Sequence, residues 1–122
     1  MRIALIALAT FLPWLAHAQG VRATDETFTA AALADELGGS ALEFFDGSRA
    51  DYAADTGYTF RYQPEGRVWR GAWATNEDSA VCIAFDNGFS RCDTIVRAGE
   101  RLVLITEDGL RFPVRVVHSL AP

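Results

Sequence analysis

Residues Arg67–Asp93 read RVWRGAWATNEDSAVCIAFDNGFSRCD. The stretch holds Trp69 and Trp73, both cysteines of the chain (Cys82 and Cys92), and the hairpin turn Asp86-Asn87-Gly88. Its β-formers come in short runs separated by turn residues, so it reads as three antiparallel strands beside which the rest of the chain must pair. Side chains alternate along a strand, which puts Trp69, Gly71 and Trp73 on one face and Val68, Arg70 and Ala72 on the other. On the preceding run Tyr58, Phe60 and Tyr62 share a face. A four-residue loop Gln63-Pro64-Glu65-Gly66 brings the two aromatic faces together, with Phe60 opposite Trp69 and Tyr58 opposite Gly71. Pro64 suits the second position of that turn, and Gly71 leaves room for a Tyr ring between two indoles.

The cysteine hairpin offers two registers. A two-residue Asn87-Gly88 turn sets Cys82 opposite Asp93. A three-residue turn with Gly88 left-handed sets Cys82 opposite Cys92 and pairs Phe85 with Phe89. A disulfide needs Cα atoms about 4.4–6.8 Å apart, so the three-residue turn is preferred. It carries a consequence: Arg91 and Asp93 then share the face of Val81 and Ile83, which is tolerable only where that end of the sheet is open to water. Closing so short a loop stabilises the fold by about 2–3 kcal/mol.

Working outward, strands are expected at Ala41–Phe45, Ala50–Ala53, Tyr58–Gln63, Arg67–Ala74, Ala80–Phe85, Phe89–Arg97, Arg101–Thr106 and Leu110–His118. The second has little to bury but Tyr52. Each link carries Gly, Asn or Asp where a tight reversal needs them, and none is long enough for a parallel crossover. The eight strands therefore form an antiparallel meander. Its two edges must be closed or covered, which predicts a small barrel, or a half-barrel plugged by a helix. That helix is expected over Phe28–Leu37, capped by Thr27, with Phe28, Leu33 and Leu37 on one stripe and Gly38-Gly39 ending it. In the last strand Leu110, Phe112, Val114 and Val116 point one way, while Pro113 lacks a donor and argues for an edge or imperfect closure nearby.

The N-terminus reads as a signal peptide over residues 1–18: Arg2, an apolar run from Ile3 to Leu15, then the small-x-small site Ala16-His17-Ala18. The run is shorter than the roughly 20 residues a bilayer span needs. Residues 19–27 read as a flexible arm, 28–118 as one β-rich domain and 119–122 as a tail. In that exported setting Cys82 and Cys92 are expected to form a disulfide. Their ten-residue spacing does not suit a zinc site. All eleven basic residues are Arg against sixteen Asp plus Glu, a net charge of −5. Such a chain has little to offer a phosphate backbone or an anionic bilayer.

No catalytic or metal constellation stands out. The one His beyond the signal segment is His118, and no Gly-x-Ser-x-Gly elbow accompanies it. Most carboxylates lie in turns, where their work is local hydrogen bonding. The turn Thr75-Asn76-Glu77-Asp78 lacks the ligand spacing of a calcium loop. The remaining candidate is the aromatic cluster Tyr58, Phe60, Tyr62, Trp69 and Trp73, which either lines a pocket for an apolar ligand or fills the core. For a chain this short, a filled core is the preferred reading.

Gly71-Ala72-Trp73, followed by Val81-Cys82-Ile83 and a second Cys, resembles the G-x-W…C pattern of small secreted bacterial β-barrels. These include metalloprotease inhibitors of the alkaline-protease-inhibitor type and lipocalin-like periplasmic proteins. The elements DTGYTF, RGAW, VC and RC, over about residues 40–117, are also similar to small exported alphaproteobacterial β-proteins of no assigned function. The inhibitor resemblance implies a free N-terminal arm that enters a zinc protease cleft. No functional residue is carried over.

The expectation is thus a mainly β, periplasmic or secreted binding or accessory protein of the cell envelope, not an enzyme and without a cofactor. Its partner would be an envelope protein or a small apolar ligand, with no nucleic acid and no stable membrane insertion after signal cleavage. A secreted metalloprotease inhibitor acting through the arm is the second reading. A small hydrolase built on His118 or a carboxylate is the third.

Overall fold

The structure is a computed structural model that describes residues 20–63 and 65–121. The expected signal segment, Gln19, Pro64 and its turn role, and Pro122 lie outside the described residues. Among the described residues one helix, α1 (Ala30–Leu37), precedes eight strands: β1 (Ser40–Phe44), β2 (Arg49–Tyr52), β3 (Gly57–Arg61), β4 (Val68–Asn76), β5 (Ala80–Phe85), β6 (Ser90–Ala98), β7 (Arg101–Ile105) and β8 (Arg111–Ser119). Each strand pairs antiparallel with the next, and β8 returns to pair with β1, so the meander closes into a barrel.

The registers follow from turn chemistry. Phe60 lies opposite Trp69 and Tyr58 opposite Gly71. Gly88 is left-handed (φ 92°), the Phe85 amide donates to the Phe89 carbonyl at 2.8 Å, and Cys82 faces Cys92. The two cysteines form a disulfide with Cα atoms 4.0 Å apart, the close spacing of a non-hydrogen-bonded pair. A disulfide fits folding outside a reducing cytosol. Among the described residues, no helix is long and apolar enough to cross a membrane.

Gly71 has a different reason from the one expected. Its missing side chain makes room for β5 rather than for a Tyr ring. A Cβ there would meet the Ala84 carbonyl oxygen and come within 2.9 Å of Phe85 Cα.

Helix α1 closes one end of the barrel. Thr29, not Thr27, is its cap: its Oγ1 accepts the Ala32 amide at 3.2 Å. Phe28 stays outside the helix because its amide donates to Ser79 Oγ at 2.8 Å. Ser79 is fully buried with φ 58°, and its hydroxyl donates in turn to the Ile95 carbonyl. Thr75 Oγ1 donates to the Ala30 carbonyl at 2.7 Å, tying the helix to β4. Leu33 and Leu37 are fully buried against an interior that includes Leu42, Tyr52, Tyr58, Trp73, Val81, Ile83 and Ile95. Each such side chain contributes about 1.5–3 kcal/mol on leaving water, which lets an eight-residue helix persist where alone it would melt.

Residues 20–27 correct the expectation of a loose arm. Glu26 forms a two-way bridge with Arg97, each amide donating to the other's carbonyl at 2.9 Å. Arg111 grips the Asp25 carboxylate through Nη1 at 2.6 Å and Nη2 at 3.1 Å, and its Nη1 also donates to the Gly20 carbonyl at 2.8 Å. Val21 packs on a second apolar cluster of Val96, Val103 and Ile105. The cause is that β7 is apolar on both faces, so its outer face needs a cover. The expected tail is also tied: Ser119 belongs to β8, and the Leu120 amide donates to the Gly39 carbonyl at 2.9 Å.

The seam at β8 is imperfect, as Pro113 implied. The β7–β8 ladder holds three residue pairs, from Val103–Pro113 to Ile105–Arg111, and the register of β8 on β1 shifts between Glu43 and Phe44. Beyond the ladder, Arg101 Nη1 donates to the Val114 carbonyl at 2.7 Å in place of a strand amide. The expected single face of β8 is interrupted as well. Val114 pairs with Phe44, but past the shift it is Val117, not Val116, that pairs with the next inward residue of β1, Leu42.

Two outcomes test this architecture. Gly71→Ala forces β4 away from the β5 backbone and should lower stability by about 1–3 kcal/mol in urea unfolding. Asp25→Ala should cost about 1–3 kcal/mol and turn the Glu26 and Arg97 amides from slow to fast hydrogen exchange, with the barrel amides unchanged.

Candidate functional site

Up-and-down topology sends the β1–β2, β3–β4, β5–β6 and β7–β8 connections to the end opposite α1. There the barrel is open. A cavity of about 470 Å³ enters it, walled by Phe44, Phe60, Tyr62, Leu104 and Phe112. This volume lies within the range of about 300–1,000 Å³ typical of small-molecule sites. Ser48 and Thr106 also reach the cavity, and Asp46, Glu107 and Asp108 supply carboxylates from the turns at its mouth.

The inner face of β6 contributes Arg91 and Asp93, the pair that the cysteine register turned inward. Arg91 Nε donates to Asp93 Oδ2 at 3.2 Å, and its Nη2 donates to the Tyr58 hydroxyl at 3.0 Å. The guanidinium carbon lies 5.3 Å from the Phe60 ring centre and 5.4 Å from that of Phe85, within cation–π range. Asp93 is almost fully buried. Burial pushes its carboxyl above the ordinary range, Arg91 pulls against that shift, and Glu107 adds to it. Burial likewise raises the Tyr58 hydroxyl. Beneath them Tyr52 packs edge-on to Tyr58 and Trp73. Its hydroxyl is the one buried side-chain polar atom among the described residues with no partner.

The five aromatics singled out from sequence divide. Tyr58 and Trp73 are core, with the Trp73 indole N–H donating to the Ala53 carbonyl at 2.9 Å. Phe60 and Tyr62 line the cavity. Trp69 does neither: it is partly exposed at the rim, beside Phe85 and beneath Arg67. The lower barrel is therefore filled and the upper end hollow. Sequence reasoning passed over Phe44, Leu104 and Phe112 as site residues, although each sits on the inward parity near a strand end. Asp93 was available from the register argument, which placed it inside without asking what it faced.

The mouth is also where the exposed apolar side chains gather. Phe45, Tyr62, Val68, Trp69, Phe89, Leu110 and Phe112 all belong to the connections or strand ends there, and among the described residues only Val117 of the large exposed apolar side chains lies elsewhere. Such concentration marks contact surfaces in other proteins.

The alternatives from sequence find less. His118 Nε2 sits 3.4 Å from Glu43, a carboxylate also engaged by Arg115, at the barrel surface. No nucleophile is hydrogen-bonded to His118 among the described residues. In the Thr75–Asp78 turn, Asn76 Oδ1 accepts the Asp78 amide at 3.1 Å, as a turn side chain does. Among the described residues no three His, Cys, Asp or Glu side chains converge on a point where a metal would sit. Comparison with known proteins finds no matching family model, no similar curated protein and no similar solved structure.

The buried acid gives stability a pH dependence of definite sign. Between the ordinary value of 3.8 and its raised folded value, Asp93 keeps a proton that the unfolded chain has released. The folded state binds more protons there, so stability contributed by this group falls as pH rises through that window. Asp25, lowered chiefly by its hydrogen bond to Arg111, acts oppositely: its stabilisation is present above 3.8 and is lost as pH falls through its lowered value. Urea midpoints measured from about pH 3 to about pH 7 should therefore lose the fall above 3.8 in Asp93→Asn, with the whole curve lowered because Arg91 loses its partner.

Proposed function

We propose that this chain is a non-enzymatic binding protein that takes one small, mainly apolar molecule into the open end of its barrel. We place it in the periplasm or the external medium, where its disulfide is stable. The observation that carries the reading is the cavity itself: aromatic and aliphatic walls, a few polar groups, and one end of the barrel left unfilled while α1 plugs the other. A chain this small has little apolar surface to spare for its own core. Leaving about 470 Å³ unfilled sacrifices packing that a second layer of aromatics would supply, which makes sense where a ligand completes the core. The apolar crown around the mouth supports entry from an apolar phase or from a partner that presents the ligand. The inhibitor reading needs a free arm, and residues 20–27 are tied to β6 and β8 by Glu26 and Asp25.

Two measurements test the proposal. Native mass spectrometry of protein purified from its own exported fraction should show one small molecule bound per chain. The neutral dye N-phenylnaphthylamine should bind with a Kd below about 0.1 mM. Phe112→Ser opens the wall at an exposed position and Leu104→Trp fills the cavity; each should weaken dye binding at least about tenfold, a loss of about 1.4 kcal/mol. A ligand-free chain that ignores the dye removes the proposal.

A further inference from the structure

We propose that the ligand carries a positive charge, an alkyl or aryl amine or a quaternary ammonium, with its cationic group held by the carboxylates of the cavity. This deepens the reading of the mouth as a ligand site and rests on it.

The argument starts from Asp93. Its side chain is 2% exposed, and the one hydrogen bond it accepts among the described residues comes from Arg91, on Oδ2. Oδ1 accepts none, although Asp93 lines the cavity. A buried carboxylate is stabilised by every further donor it gains. A ligand ammonium or amine N–H is such a donor.

Arg91 does not offer an anion the same welcome. Its Nε is given to Asp93 and its Nη2 to Tyr58, which leaves only Nη1 without a partner among the described residues, and the Phe60 and Phe85 rings flank the guanidinium. A carboxylate ligand reaching it would also lie beside the charge of Asp93.

The rim points the same way. Asp46 Oδ1 accepts the Ser48 amide, Glu107 Oε1 accepts the Cys92 amide, and Asp108 Oδ1 accepts the Thr106 hydroxyl. Asp46 and Asp108 each spend one oxygen on shaping their turns and Glu107 spends one on the β6 backbone; each leaves the other free among the described residues. Lining the cavity are thus four carboxylates against one guanidinium, in a chain without a single Lys. Anions are repelled on approach and cations drawn in. The aromatic wall adds attraction for a cation that an acid or an alcohol does not feel, and that attraction extends to quaternary ammonium groups with no N–H to donate.

The test uses three amphiphiles of one chain length, decylammonium, decanol and decanoate, each displacing N-phenylnaphthylamine at neutral pH below its micelle concentration. Decylammonium should bind at least about tenfold more tightly than the other two, and decyltrimethylammonium should share its advantage. Asp93→Asn should erase most of that preference. Because this substitution also unpairs Arg91, the exposed pair Glu107→Gln and Asp108→Asn provides a second variant. Gln and Asn keep the oxygens that accept the turn hydrogen bonds, and the preference should fall several-fold with the unfolding midpoint unchanged. If decanol or decanoate binds as tightly as decylammonium, the charge assignment is overturned while apolar binding stands. If none of the amphiphiles binds, the binding function itself fails. A cation preference that survives both variants would place the cationic group somewhere other than these carboxylates, and so overturn the site.

Discussion

One residue in the Asp86–Gly88 turn decides which way every side chain of β6 points. With Gly88 left-handed and three residues in the turn, Cys82 meets Cys92 and Arg91 and Asp93 face the barrel interior. A two-residue turn would reverse that parity, bringing Cys92 inside and sending the two charges out to water. The disulfide is compatible with only one of these registers, so a covalent bond on the outer wall enforces a polar pair on the inner one. The same pair would be costly in a sealed core. It is tolerated because β6 begins at the open end, where Tyr58 and two aromatic rings supply partners.

The two ends of the barrel have opposite characters, and topology is the cause. In a meander, alternate connections fall at opposite ends. One end receives α1, whose Leu33 and Leu37 complete the core beneath Tyr52 and Trp73. The other receives four hairpin connections and, among the described residues, nothing to cover them. Their carboxylates serve the turns and their apolar side chains ring the mouth. Residues 20–27 lie instead along the outer face beside β7, where Val21 covers Val103 and Ile105.

The interior shows a gradient from ordinary packing to incompletely satisfied polar groups. Near α1, polar groups find partners, as Ser79 does with Phe28 and Ile95. Higher up, the Tyr52 hydroxyl has no partner and Asp93 is buried with a single hydrogen bond. Unsatisfied polar groups of this kind cost about 1–3 kcal/mol each. Their position beneath a cavity, rather than at random, supports the binding role proposed for it.

Much of this was legible in the chain. Period-two alternation and turn residues located all eight strands, and the spacing of Cys82 and Cys92 chose the register of their hairpin. The run Leu102-Val103-Leu104-Ile105 is apolar on both faces, but the sequence reading took it only as a strand and did not foresee that residues 20–27 would cover it. What sequence could not decide was how far the aromatic cluster would fill the barrel. Trp69 and Trp73 share a face on one strand, yet one sits at the rim and the other in the core, because depth along the barrel axis depends on the tilt and closure of all eight strands. Sequence determined which side of the sheet most residues would occupy, since that follows from local alternation wherever the ladder runs without the shift seen in β8. Only the tertiary structure decided how deep each would lie and where space would remain, since those depend on closing β8 against β1 and seating α1 in one end.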